Sequence, residues 1–426
     1  MLQRELIAPG VHLNTIPADK FNRCRISLHF RFPADRQKAT DHALMPLVLE
    51  RGYADCPDMT QLSRKLARLY GAALSVETSM QGASRVLSIS ITGIKDQYAL
   101  AGENLTAEYA AIAFGVAFNP HFENGMFSQE AVTIEKDTLS RQLQSEINDK
   151  RLYCVRQARR KFFGDSAAGV ERDGYLADLP AVTPETLTKA YQEMLETAHL
   201  DVICMGADKQ TVRTMILNQL QGLVRNPAQL TLRTFMPSQP TQHFEEKMDL
   251  VQAKLCMLFT WNQCVQPDQM NAFRLAMSLY GGSVTSRLFL NVREKQSLCY
   301  YCGSRFVSPT AFMMVDSGVE PANAQKAEAA ILKELQDLIS GPITSVELED
   351  CRRGILSGMA SVGDSLASLE NWYYNEILRG GTVQTPEQSA EDLRSVTEED
   401  VRRILAGFTH SVSYLVTKKE DANHAE

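Results

Sequence analysis

No stretch of this chain approaches the ~20 consecutive apolar residues that a membrane-spanning helix requires, so such helices are not expected. Basic residues are not in excess: 44 Lys and Arg stand against 51 Asp and Glu, a net charge of -7, and they are not bunched. A nucleic-acid partner is therefore not expected. The first residues, MLQRELIAPGVHLNTIPADKF, carry Arg4, Glu5 and Pro9 and no apolar stretch of signal-peptide length. Nine cysteines form an odd count without the spacing of a disulfide framework, which predicts reduced thiols in a cytoplasmic protein. Among the eight histidines there is no H-x-x-x-H or H-E-x-x-H pair, so no helix carries a ready-made two-imidazole metal site.

What is present is an ordinary globular composition, 44% hydrophobic and 22% charged, in a chain of 426 residues. That length accommodates two cores of roughly 200 residues each. The segment CRISLHFRFPAD places Ile26, Leu28, Phe30 and Phe32 on one face, the period-2 pattern of a half-buried strand. Helical spacing follows from about Asp41 to Gly52 and again over 59–70, where Leu62, Leu66 and Leu69 share a face. Then ALSVETSMQGASRVLSISITGI reads as two strands joined by a glycine-containing turn. A long helix is predicted from about Gln129 to Phe163, unbroken by proline, and a further one starts at Thr183 with Pro184 in its first turn.

A proline-rich polar stretch over 225–244 is read as a linker, giving domains 1–224 and 245–426. Beyond it the same order of elements returns: the strand AKLCMLFTW, a helix through Leu275 to Tyr280, a Gly-Gly turn, a helix SRLFLNVREK, and the strands LCYYCGSRF and FMMVDSGV. Thr183 and Thr397 cap corresponding later helices. Two copies of one α+β fold, each an antiparallel sheet covered by helices, is the predicted architecture.

Residues 280–300, YGGSVTSRLFLNVREKQSLCY, resemble the second-domain signature of insulinase/pitrilysin-type zinc peptidases at Gly281, Gly282, Ser286, Arg287, Leu288, Phe289, Arg293, Glu294, Lys295, Leu298 and Tyr300. Ser297 departs from it, since the family usually has glycine there. Weaker similarity in element order extends over nearly the whole chain. The resemblance implies a first-domain helix bearing H-x-x-E-H, in which two histidines on one face hold zinc and the glutamate activates the bound water. The matching helix here reads His42-Ala43-Leu44-Met45-Pro46. Met45 stands where the base should be and Pro46 where the second imidazole should be, and neither side chain can do that work. The later ligand glutamate aligns with Gln142, a poor zinc ligand, with Glu135 two turns earlier and Glu146 as the alternative placement. No metal is therefore expected in this chain, and His42 reads as a structural remnant.

Arg293 and Tyr300 match the arginine and tyrosine that, in this family, project toward the substrate, with Gly281 and Gly282 bordering the cavity. A guanidinium offers fixed donors to a peptide carbonyl and a phenol can donate to a developing oxyanion. The plainer reading, in which Arg293 pairs with a nearby acid and Tyr300 packs in the sheet, carries equal weight. Some bacterial members split the metal motif and the Arg/Tyr pair between two chains. A narrower resemblance, at Leu-Glu-Arg-Gly (49–52) and Leu-Tyr-Gly-Ala (69–72), is to bacterial non-peptidase proteins associated with elongation factor P 5-aminopentanol modification. The expectation is a non-catalytic subunit paired with a related H-x-x-E-H chain that holds the zinc and processes peptides. A peptide-binding or assembly scaffold is the alternative, and homodimer formation is left open. Cys299-Tyr300-Tyr301-Cys302 has C-x-x-C spacing, but residues three apart on a regular strand face opposite sides, so the sulfurs are expected to diverge.

Overall fold

The computed structural model describes residues 2–419. The chain forms two compact units, each built on one large sheet. Unit one comprises Met1–Gln144, Val170–Leu232 and Asp364–Tyr374; unit two comprises Ser145–Gly169, Arg233–Gly363 and Asn375–Glu426. Each unit thus takes in a short segment from the other half of the sequence.

In unit one the strands are β1 (Gln3–Ala8), β2 (Val11–Ile16), β3 (Arg23–Pro33), β4 (Ala73–Gln81), β5 (Ser84–Ile94), the two-residue strands β6 (Phe122–Glu123) and β7 (Met126–Phe127), and β8 (His199–Met205). Its main sheet has the order β1-β2-β8-β3-β5-β4. The helices are α1 (Ala39–Leu49), α2 (Met59–Arg68), α3 (Leu105–Phe118) and α4 (Gln129–Ser145). The apolar positions of β3, Ile26, Leu28 and Phe30, are fully buried with Ile89, Ile91, Leu44 and Phe114 in one core. Alternation along the strand therefore separates an apolar helix-covered face from a polar one.

The first sequence expectation that the structure corrects is the unbroken helix over Gln129–Phe163. The chain turns tightly at Glu146–Asn148 and restarts as α5 (Lys150–Phe163), which belongs to unit two. Asp149 makes the break: its carboxylate accepts from the backbone N–H groups of Arg151 and Leu152, both at 3.0 Å. A short acidic side chain competes with the helix for those donors and so begins a new one.

Helices α6 (Pro184–Thr197) and α7 (Lys209–Leu220) complete unit one, and Thr183 caps α6 as expected, accepting from Thr186 N–H at 3.2 Å. The strands of unit two are β9 (Gln242–Met248), β10 (Ala253–Trp261), β11 (Cys299–Val307), β12 (Phe312–Val319) and β13 (Phe408–Lys418), in the order β11-β12-β10-β13-β9. The residues Gln242–Phe244, read as linker, open β9, which pairs in parallel with β13. Helix α5 lays Cys154, Val155, Ala158 and Phe162 against Cys256, Leu258, Phe312 and Met314 of this sheet.

Once β1 is set aside, the two sheets have the same order: β4-β5-β3-β8-β2 corresponds to β11-β12-β10-β13-β9. The correspondence extends to strand direction, since β2–β8 and β9–β13 are the parallel pairs in otherwise antiparallel sheets. Neither relation is generic. It is the tertiary form of the repeat visible in the sequence.

Candidate functional site

Helix α1 positions the degenerate metal motif. His42 is 6% exposed and its Nδ1 has no hydrogen-bond partner among the described residues; its ring meets Phe32 edge-on at 4.8 Å. Burial, followed by the charges of Arg85 and Lys38, pushes the imidazole down to about 3, so it is neutral in the folded chain. Met45 is 1% exposed and Pro46 is buried within the helix. Pro46 also has no N–H to bond the carbonyl four residues back, a cost the helix bears in its middle. Gln142 lies on the exposed side of α4. Glu135 accepts from Arg51 at 2.8 Å, and Glu146 pairs with Arg156 in unit two.

These donors do not fit zinc. One buried imidazole, a thioether and a proline cannot form the three-ligand set of a catalytic site. Among the described residues no group of three or more His, Cys, Asp and Glu side chains could hold a metal ion.

Unit two brings the other signature residues together. After helix α8 (Met270–Met277) the chain runs through Ser278–Gly282 and then winds through Leu288–Lys295 as a π-helix, with Gln296 N–H bonding the Asn291 carbonyl at 3.1 Å. Wide turns of this kind mark functional segments more often than ordinary helix. Gly281 and Gly282 have ordinary negative φ; what they supply is space. A Cβ on Gly281 would stand 2.6 Å from the Ser304 backbone nitrogen of β11, and one on Gly282 would stand 2.9 Å from the Met277 carbonyl. The glycine pair therefore lets this segment lie directly against the strand. Ser297 adopts φ 51°, the left-handed conformation in which glycine carries no penalty.

Arg293 and Tyr300 are neighbours. Arg293 Nε donates to the Tyr300 carbonyl at 2.9 Å, and its guanidinium lies 4.6 Å over the Phe289 ring. Tyr300 is 56% exposed, and its hydroxyl donates to Glu320 at 3.1 Å. That bond raises the phenol above its ordinary value and keeps it protonated. With Glu294, Ser297, Leu298 and Cys299 these residues line an open hollow of about 320 Å³.

Strand β11 is bulged at the exposed Tyr300. Cys299 pairs with Val319 and Tyr301 with Gly318, so Tyr300 is an extra residue. This overturns the expectation that the sulfurs of Cys299 and Cys302 diverge. Cys302 faces Ser317, two residues from Val319, so the inserted residue puts both cysteines on one face. Both are buried and both carry free thiols.

One cluster went unremarked in the sequence. On the polar face of unit one, Glu370 is 3% exposed, pairs with Arg25, and lies 2.8 Å from His29 Nε2. His29 Nδ1 is 2.8 Å from Ser88 Oγ, and the imidazole stacks on Tyr374 at 4.1 Å. The signal for half of it lay in β3, where Arg25, Ser27, His29 and Arg31 alternate with the apolar positions. Its acidic partner is more than 300 residues away in sequence and gave none.

Two helix-covered sheets of matching strand order give the chain a metallopeptidase-like fold. Residues 181–355 match the family model described as the peptidase M16 inactive domain. The chain is 24% identical over 422 residues, 97% of each protein, to the Bacillus subtilis (strain 168) protein "Probable inactive metalloprotease YmfF". A crystal structure of a conserved Enterococcus faecalis V583 protein covers 99% of this chain and 100% of its own, at TM-score 0.91 and 23% identity. The peptidase M16 inactive domain from Pseudomonas fluorescens covers 98% of both chains, at TM-score 0.79 and 16% identity. The chain is thus similar to inactive homologues of the M16 metallopeptidases.

Proposed function

We propose that this chain is the non-catalytic subunit of a two-chain zinc metallopeptidase, contributing substrate binding and oxyanion stabilisation to a related subunit that carries H-x-x-E-H and holds the zinc. What carries the reading is one contrast. The helix that should bind metal has lost its donors at Met45 and Pro46, whereas Arg293 and Tyr300 stand side by side beside an open hollow.

The chemistry follows from the geometry. Arg293 Nε donates to the Tyr300 carbonyl, which holds the arginine beside that tyrosine, while its far end pairs with Glu294 at 3.3 Å, an exposed ion pair that a peptide carboxylate or carbonyl could displace. The Tyr300 hydroxyl, protonated and exposed, is a donor that an incoming oxyanion could take over from Glu320. Gly281 and Gly282 are assigned to the border of that substrate site, in addition to their close contact with the neighbouring backbone.

The test is reconstitution with an H-x-x-E-H homologue from the same genome. Co-elution of the two chains and zinc-dependent cleavage of an unstructured peptide are expected, with Arg293→Ala and Tyr300→Phe each lowering kcat by about 10²-fold. Two chains that never associate, or full activity in both variants, would sink the proposal. Association without any effect of the variants would favour an assembly scaffold instead.

A further inference from the structure

We infer that Cys299 and Cys302 form a redox-active dithiol, a site of reversible two-electron oxidation by peroxide in which Cys299 is attacked first and Cys302 closes a disulfide. C-x-x-C spacing on a flat strand would not permit this, because at ~3.3 Å per residue the two Cα atoms would lie about 10 Å apart with side chains opposed. The bulge at Tyr300 removes the obstacle: one extra residue turns a three-residue spacing into a same-face neighbour pair, opposite Val319 and Ser317. A disulfide brings its Cα atoms within about 7 Å, so the strand end must close slightly. Cys299 is placed for that movement. It is the first residue of the edge strand β11, two residues after the left-handed Ser297.

The two sulfurs are not equivalent. Cys299 lines the hollow with Arg293 and Tyr300 and Cys302 does not, although the two are almost equally buried. The neighbouring Cys302 thiol, aided by Ser317 and Arg293 and opposed by burial, lowers the Cys299 thiol; Cys299 and burial together raise Cys302. Cys299, which opens onto the hollow, is thus the more readily ionised thiol, and Cys302 is the resolving one.

In the first step the Cys299 thiolate attacks one oxygen of hydrogen peroxide. The S–O bond forms, the O–O bond breaks, and hydroxide leaves as water on protonation, giving a sulfenic acid. In the second, the Cys302 sulfur attacks the sulfenic sulfur; the S–S bond forms, the S–O bond breaks, and the departing hydroxide takes the Cys302 proton to leave as water. Two thiols lose two electrons and one peroxide becomes two waters. A small dithiol reverses the change by thiol–disulfide exchange. Closure would tighten the loop that carries Tyr300, and that consequence for peptide binding rests on the function proposed above. The dithiol chemistry does not.

The experiment uses the full reduced chain alone, treated with increasing hydrogen peroxide, then alkylated and digested with trypsin. Cleavage after Lys295 and Arg305 releases Gln296–Arg305, which contains both cysteines. This peptide is expected to lose two hydrogens and both alkylation sites before the other cysteine peptides react, and to regain them with dithiothreitol. In Cys302→Ser, Cys299 is expected to be captured by a 1,3-dione as sulfenic acid; in Cys299→Ser, Cys302 stays reduced. Circular dichroism of both variants checks that they are folded, and Cys302→Ala repeats the trapping should the serine prove disruptive. A peptide that remains doubly alkylated while other cysteines oxidise overturns the inference, as does identical behaviour of the two serine variants. No partner subunit enters the measurement, so its failure is distinct from failure of the proposed function.

Discussion

His29 Nε2 lies 2.8 Å from Glu370 Oε1, joining residues 341 positions apart on the polar face of the first sheet. Burial alone would raise the Glu370 carboxyl. Its hydrogen bond and charge interaction with His29, together with Arg25, outweigh burial and hold it at about 2. The pair thus fixes the segment Asp364–Tyr374 to the unit that most of its own half of the chain does not join.

Glu370→Gln is expected to lower stability near neutral pH by about 2 kcal/mol, because the partly buried Arg25 loses its counter-charge. The sign with pH follows from a depressed carboxylate. The stabilisation is fully present above the ordinary value of 4.5 and disappears as pH falls toward 2, because the unfolded chain binds the proton first. Urea unfolding of both proteins checks it; a gap that stays the same between about pH 6 and about pH 2.5 would refute the assignment.

His42 titrates the other way. Its folded imidazole sits near 3 and its ordinary value is 6.5, so protons bind the unfolded chain preferentially and stability falls as pH drops through 6.5. His42→Leu is expected to be at least as stable as the parent at neutral pH, since it removes a buried nitrogen without a partner. At pH 5 the variant should gain about 2 kcal/mol relative to the parent. Thermal melts at the two pH values decide this. Added zinc should leave both Tm values unchanged.

Gly281→Ala is expected to cost about 2 kcal/mol, since the new methyl meets backbone that cannot swing aside. Gly354, in the helix Ser345–Ser361 with open space around its Cβ position, makes the contrast. Gly354→Ala should stabilise by about 0.5–1 kcal/mol. Denaturant midpoints measure both, and equal effects would show that the close approach to Ser304 is not what requires the glycine.

Tyr300→Phe should change stability by less than about 0.5 kcal/mol, because the hydroxyl is exposed and its bond to Glu320 is a surface one. Ser297→Gly should stabilise by up to about 1 kcal/mol by relieving the left-handed φ. Melting curves test both. A large loss in Tyr300→Phe would reassign the tyrosine from a substrate role to a structural one.

The sequence by itself determined the repeated α+β architecture, because hydrophobic period reports which face of each element is buried, and the same periods occur in the same order in both halves. It also showed that the segment His42–Pro46 does not spell H-x-x-E-H, since Met45 cannot act as a base and Pro46 has no side-chain donor whatever the fold does with them. Three things only the tertiary structure decided. The Asp149 break sends α5 to the second unit, because capping by one side chain can override a continuous helical pattern. The Glu370 partnership depends on a contact between residues 341 apart, on which local periodicity is silent. The bulge at Tyr300 inserts one residue against the partner strand; pairing register, not the composition of β11, places Cys299 and Cys302 on one face beside the tyrosine.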